Sequence, residues 1–111
     1  MVLEMTSSGQ CYCGTVRFEV TFPTDFVCHC HCEDCRGPHA AAFVTWTGVP
    51  RTQFRFLRGE EQLRKYESHP GVRWGFCSIC GTSFFYETDE APNKVYLTAT
   101  SFSGPLDKEP E

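Results

Sequence analysis

No segment of the chain keeps the 3.6-residue apolar period of an amphipathic helix, so strands must supply the core. Long apolar runs are missing too. The longest, Ala40 to Val44, falls far short of the roughly 20 residues that a membrane-spanning helix needs. Basic residues form no cluster: ten Lys and Arg are scattered among 14 Asp and Glu, for a net charge of -4. A nucleic-acid or anionic-membrane partner would require the opposite balance. The opening MVLEMTSSGQ has neither the basic start nor the apolar h-region of a secretory signal, which points to the reducing cytoplasm. There is no internal repeat.

What the chain does have is cysteine, eight in 111 residues. In a reducing compartment such a density reads as metal sites rather than a disulfide framework, and the close pairing of the cysteines agrees. The length suits one domain, and a domain this small gains materially from a metal crosslink. Ten Phe supply bulky core material.

Strand patterns recur along the chain. Val16, Phe18, Val20 and Phe22 alternate with Thr15, Arg17, Glu19 and Thr21, as in a half-buried strand that ends at Pro23-Thr24-Asp25. Further strands are expected over 26–30, 41–46, 53–57, 72–76, 83–87 and 94–100. Residues 62–68 fit a strand or a short helix. Gly9 to Gly14 reads as a tight, cysteine-bearing turn, and Gly48 to Pro50 as another. Glu33 to Arg36 can form one helical turn, which Gly37-Pro38 should stop. The fold class is all-β: a small single domain of twisted antiparallel sheets organised around zinc-cysteine sites. The domain is expected over residues 9–107, with loose ends at 1–8 and 108–111.

Two cysteine constellations carry the chemistry. Cys11-Tyr12-Cys13-Gly14 and Cys77-Ser78-Ile79-Cys80-Gly81 are close pairs trailed by glycine, which permits the positive φ of a knuckle that aims backbone N–H groups at sulfur. Together Cys11, Cys13, Cys77 and Cys80 would make a closed four-thiolate shell, across 63 residues that lie between Cys13 and Cys77. A crosslink over so long a loop restricts the unfolded chain strongly.

The second is Cys28-His29-Cys30-His31-Cys32-Glu33-Asp34-Cys35-Arg36. Cys30, Cys32 and Cys35 offer three thiolates on one loop, which leaves a fourth metal position open for a substrate. Cys28 shares their strand face, and reads either as a fourth ligand or as a small core residue. His29 and His31 fall on the opposite face. Arg36 could offset thiolate charge or grip a substrate carboxylate, or stand on the solvated surface. Trp46 and Trp74 read as core residues, with the lining of a pocket as the alternative. His39 and His69 sit in turn-like contexts and carry little signal.

This arrangement resembles the glutathione-dependent formaldehyde-activating enzyme family, to which centromere protein V also belongs. The matching stretches are Gly9 to Gly14, Cys30 to Arg36, Phe43 to Gly48, Tyr66-Glu67-Ser68 and Phe76 to Thr82. The resemblance implies twisted β-sheets and two zinc ions per chain. It places Cys11, Cys13, Cys77 and Cys80 on a structural zinc, and Cys30, Cys32 and Cys35 on a catalytic one. The implied activity is that of a carbon-sulfur lyase resembling S-(hydroxymethyl)glutathione synthase, which condenses a thiol such as glutathione with formaldehyde or another small carbonyl. Cys28 and Ala40 depart from the family pattern. The chain also ends soon after Gly104-Pro105-Leu106-Asp107, where many members continue; a pocket wall could then be absent, or homodimer contacts could supply it.

Two other functions fit the cysteines. One is a non-catalytic zinc-binding interaction module, its central site closed by Cys28. The other is a thiol redox switch that sheds zinc as a disulfide forms.

Overall fold

A computed structural model describes residues 5–111 as two antiparallel sheets. The smaller has three strands in the order β1 (Thr6–Gln10), β2 (Arg17–Thr21) and β5 (Phe54–Arg58). The larger has six, ordered β3-β4-β9-β8-β7-β6. Its strands are β3 (Phe26–Cys30), β4 (Val44–Pro50), β6 (Leu63–His69), β7 (Val72–Cys77), β8 (Ser83–Thr88) and β9 (Lys94–Thr98). One short helix, α1 (Glu33–His39), interrupts the strands. No helix among the described residues is long and apolar enough to cross a membrane.

Alternation in the sequence explains how the sheets meet. Val16, Phe18 and Val20 are fully buried and pack on Val49, Phe85, Val95 and Leu97 from one face of the larger sheet. Phe18 sits at the centre, with Phe54, Phe84 and Phe102 at ring-centroid separations of 5.7, 5.8 and 5.2 Å. Such aromatic pairs each add about 0.5–1.5 kcal/mol to the area they bury.

The opposite face of the larger sheet forms a second apolar cluster. It is built on Val44, Trp46 and Trp74, with Phe26, Cys28, Cys30, Tyr86 and Tyr96 packed against them. Because side chains alternate across a strand, β4 and β9 supply both clusters: Val49 and Val95 inward, Trp46 and Tyr96 outward. This second face positions the candidate site.

Several boundaries differ from the expectations. The third strand begins at Val44 and runs through Gly48 to Pro50, where a turn is expected. Gly48 pairs with Phe26 and Tyr96, and its missing Cβ leaves room for their rings. Of residues 62–68, Gln62 closes a 3-10 turn over Glu60–Gln62 and the rest lie in strand β6.

Gly9 and Gln10 belong to strand β1 rather than to a turn. Met1 to Glu4 of the expected loose N-terminus lie outside the described residues, while Thr6, Ser7 and Ser8 pair with β2.

The helix continues through Gly37-Pro38 to His39. Proline's φ is itself helical and costs one backbone donor, so it need not stop a two-turn helix. Ala40 ends it, in the left-handed conformation at φ 50°. The tail is tied down as well. Asp107 accepts hydrogen bonds from the Thr24 N–H and hydroxyl, and the Glu111 N–H donates to Val27 O.

Candidate metal and substrate site

The four-cysteine group draws on two distant turns. Cys11 and Cys13 follow β1, while Cys77 ends β7 and Cys80 follows it. Their four sulfurs all lie within 4.8 Å of one another. Cys11 Sγ is 3.7 Å from Cys13 Sγ, which is 3.9 Å from Cys77 Sγ. Four sulfurs at 2.3 Å from one ion in a tetrahedron would stand about 3.8 Å apart, so the group fits zinc.

The knuckles have the expected form. Gly14 and Gly81 both sit at φ 80°. The N–H of Val16 donates to Cys11 Sγ and that of Ile79 to Cys77 Sγ, each at 3.4 Å. Thr15 and Thr82 place hydroxyls 3.1 Å from Cys13 Sγ and Cys80 Sγ.

These contacts sort the thiols. Burial pushes Cys11 up to about 11. Burial also works to raise Cys80, but the Thr82 hydroxyl and backbone outweigh it and bring the thiol down to about 6. The Thr15 hydroxyl lowers Cys13.

The three-cysteine group is local. Cys30 ends β3, Cys32 caps α1 and Cys35 lies in its first turn. Their sulfurs again fall within 4.8 Å of one another, with Cys30 Sγ and Cys32 Sγ 3.3 Å apart. Backbone N–H groups of Cys35 and Arg36 donate to Cys32 O and fix the turn. Cys35 is raised by burial, whereas Cys32 is lowered by its contacts with Cys30 and Cys35. Either cysteine group could hold a metal ion.

Cys28 stays outside this triad. It lines a cleft of about 470 Å³ that opens beside the three sulfurs. The cleft floor is the outer face of the larger sheet: Phe26, Trp46, Trp74, Tyr86 and Tyr96, with Val72. Asp34 and His69 also line it. Trp46 and Trp74 are thus both core and cleft wall. Trp74 is fixed by its Nε1–H, which donates to Ser68 Oγ at 2.9 Å.

The expected residues do not all converge. Arg36 lines a separate shallow depression with Glu33, Gly37, Ala40 and Ala41, outside the cleft. His29 faces away and bonds Thr45 Oγ1 through Nδ1 at 2.8 Å; both His29 and His31 pack on Phe43.

His39 is the residue that sequence reasoning passed over. Its ring stands edge-on to Trp46 and Trp74, at centroid separations of 5.3 and 5.7 Å. Nδ1–H donates to Cys35 O at 3.0 Å, so the neutral ring leaves its lone pair on Nε2, which is buried without a partner. Burial lowers its pKa and keeps the ring neutral. His39 thereby clamps α1, and the cysteine loop with it, onto the tryptophans. Its position four residues after Cys35 was the only available signal.

Comparison with known proteins extends the picture. The sequence model described as glutathione-dependent formaldehyde-activating enzyme matches residues 6–111. A Halomonas elongata protein provisionally given the same description is 26% identical over 114 residues, spanning 96% of this chain and 72% of its own. The crystal structure of a Rhodobacter sphaeroides protein shares the fold at a TM-score of 0.74. The match covers 93% of this chain and 97% of that one, at 23% identity.

Proposed function

The chain belongs to the glutathione-dependent formaldehyde-activating enzyme family, and from that premise we propose that it joins a low-molecular-weight thiol to formaldehyde or another small carbonyl. The observation that carries this reading is the open triad of Cys30, Cys32 and Cys35 at the edge of an aromatic-walled cleft. Cys28 lies apart from the triad, which argues for an open site over a closed, purely structural one.

Cys30, Cys32 and Cys35 would hold a catalytic zinc, and Cys11, Cys13, Cys77 and Cys80 a structural one, two ions per chain. When bound, the catalytic zinc supplies Lewis acidity that favours thiolate over thiol at neutral pH. The chain's own residues do the rest. The Cys32–Cys35 turn keeps its sulfurs on the cleft side, while His39 anchors that turn to the sheet. The aromatic floor holds the body of the thiol beside the triad. In the reaction a sulfur–carbon bond forms as the carbonyl π bond opens, and the proton lost from the thiol ends on the new hydroxyl oxygen. Nothing is oxidised or reduced. The reverse reaction is a carbon-sulfur lyase step. Eight free thiols suit a reducing compartment such as the cytoplasm.

The test is thiol-dependent formaldehyde turnover above the spontaneous rate, followed by exchange NMR. Cys32→Ala, at an exposed position, should fall to the spontaneous rate while keeping the fold and the first zinc. Unchanged turnover in that variant would sink the reading. The 3.3 Å approach of Cys30 to Cys32 favours one second reading, a redox switch. Zinc retention under peroxide would exclude it.

A further inference from the structure

We propose that the cleft beside the cysteine triad selects a thiol with an aromatic body and no net negative charge, in preference to glutathione. The inference deepens the proposed reaction and rests on it, because thiol capture at the triad is what brings the ligand's body over the cleft.

Size is the first argument. Formaldehyde occupies a space on the order of one or two water molecules, each about 30 Å³ in the liquid. The cleft, at about 470 Å³, is roughly ten times larger. It has room for the body of a second molecule.

The chemistry of the wall is the second. The rings run in a continuous series: Trp46 to Trp74 at 6.2 Å, Trp74 to Tyr86 at 4.6 Å, Tyr86 to Tyr96 at 5.5 Å, and Tyr96 to Phe26 at 6.0 Å between centroids. Flat faces of this kind bind rings, and they offer few partners to a peptide. Glutathione brings two amide groups, each of which would have to leave water to enter.

Charge is the third. Glutathione carries two carboxylates and one ammonium. Asp34, the one carboxylate among the described residues that line the cleft, repels them, and none of the ten Lys and Arg lines it. Nine of those cations are held elsewhere by ion pairs or hydrogen bonds. The tenth, Arg36, faces the separate depression. Three thiolates around a divalent ion would add further negative charge beside the ligand.

The chain supplies its own reporter, since Trp46 and Trp74 are its only tryptophans and both line the cleft. Zinc-loaded protein is titrated with benzyl mercaptan, glutathione, propanethiol and benzyl alcohol while tryptophan fluorescence is followed. Benzyl mercaptan should saturate the signal at a concentration about tenfold lower than glutathione or propanethiol. Trp74→Leu, with Trp46 still reporting, should erase that advantage. His69→Lys, at an exposed position in the cleft lining, should tighten glutathione binding more than benzyl mercaptan binding and so narrow the gap between them.

Glutathione binding as tightly as benzyl mercaptan to the wild type would overturn the proposal. So would an aromatic advantage that survives Trp74→Leu, no effect of His69→Lys on glutathione, or the absence of saturable binding by any aromatic probe. Benzyl alcohol separates the two levels. If it binds as tightly as benzyl mercaptan, aromatic selection stands and thiol capture at the triad fails.

Discussion

Cys13 and Cys77, with 63 residues between them in the chain, bring their sulfurs to 3.9 Å. That contact joins the turn after β1 of the small sheet to the end of β7 in the large one. Cys77 is fully buried, and its sulfur's partners are the Ile79 N–H, the other cysteines of the group and any ion they could hold.

Cys77→Ser should therefore destabilise the chain by at least about 3 kcal/mol, because metal-binding free energy at such a site is folding free energy. Urea denaturation with parallel zinc counting checks this. The midpoint should drop together with the loss of one zinc. A lost zinc with an unchanged midpoint would show that the four-cysteine group is not structural.

Glu87 gives a pH prediction. Its side chain is 7% exposed and meets Arg51, Lys65 and Arg73 at 3.1, 3.1 and 2.6 Å. Burial acts to raise its pKa, but the three cations prevail and bring it down to about 2, from an ordinary 4.5. A carboxylate depressed in the folded state stabilises above its unfolded pKa and loses that contribution as pH falls toward the folded value. Glu87→Gln should thus cost roughly 2 kcal/mol at neutral pH, discounted because Arg51 and Lys65 are about 45% and 41% exposed. The gap between variant and wild type should close between about pH 5 and pH 2. Acid unfolding curves that stay parallel would contradict the assignment.

Gly48 links the fold to the cleft. A Cβ there would meet Phe26 Cε1 at 2.6 Å and Tyr96 Cδ1 at 3.0 Å, and both rings belong to the cleft floor. Gly48→Ala should cost about 1–3 kcal/mol by overpacking. It should also weaken benzyl mercaptan binding, since the displaced rings narrow the cleft. Unaltered binding would mean that Phe26 does not shape the occupied part.

Much of this was legible in the sequence, for local reasons. Val16, Phe18 and Val20 declared a strand because one face is buried and the other wet. The cysteine groups declared themselves because each half is a run of three to six residues. What needed the third dimension was whatever crosses strands. Phe26, Trp46, Trp74, Tyr86 and Tyr96 come from five strands, and only register puts them on one face. Glu87 and its three cations are likewise scattered. Strand β1, Thr-Ser-Ser-Gly-Gln, carries no apolar alternation and is made a strand by its pairing with β2. Arg36, next in sequence to Cys35, turned the other way because successive helical residues do not share a face.

The central claim is that the three-cysteine site is open to a thiol, and zinc-edge X-ray absorption tests it most directly. The zinc-loaded protein should show about 3.5 sulfurs per zinc on average, four at one site and three at the other, and about 4 once benzyl mercaptan is added. A count of 4 at the start that thiol leaves unchanged would close the second site and remove the basis for catalysis there.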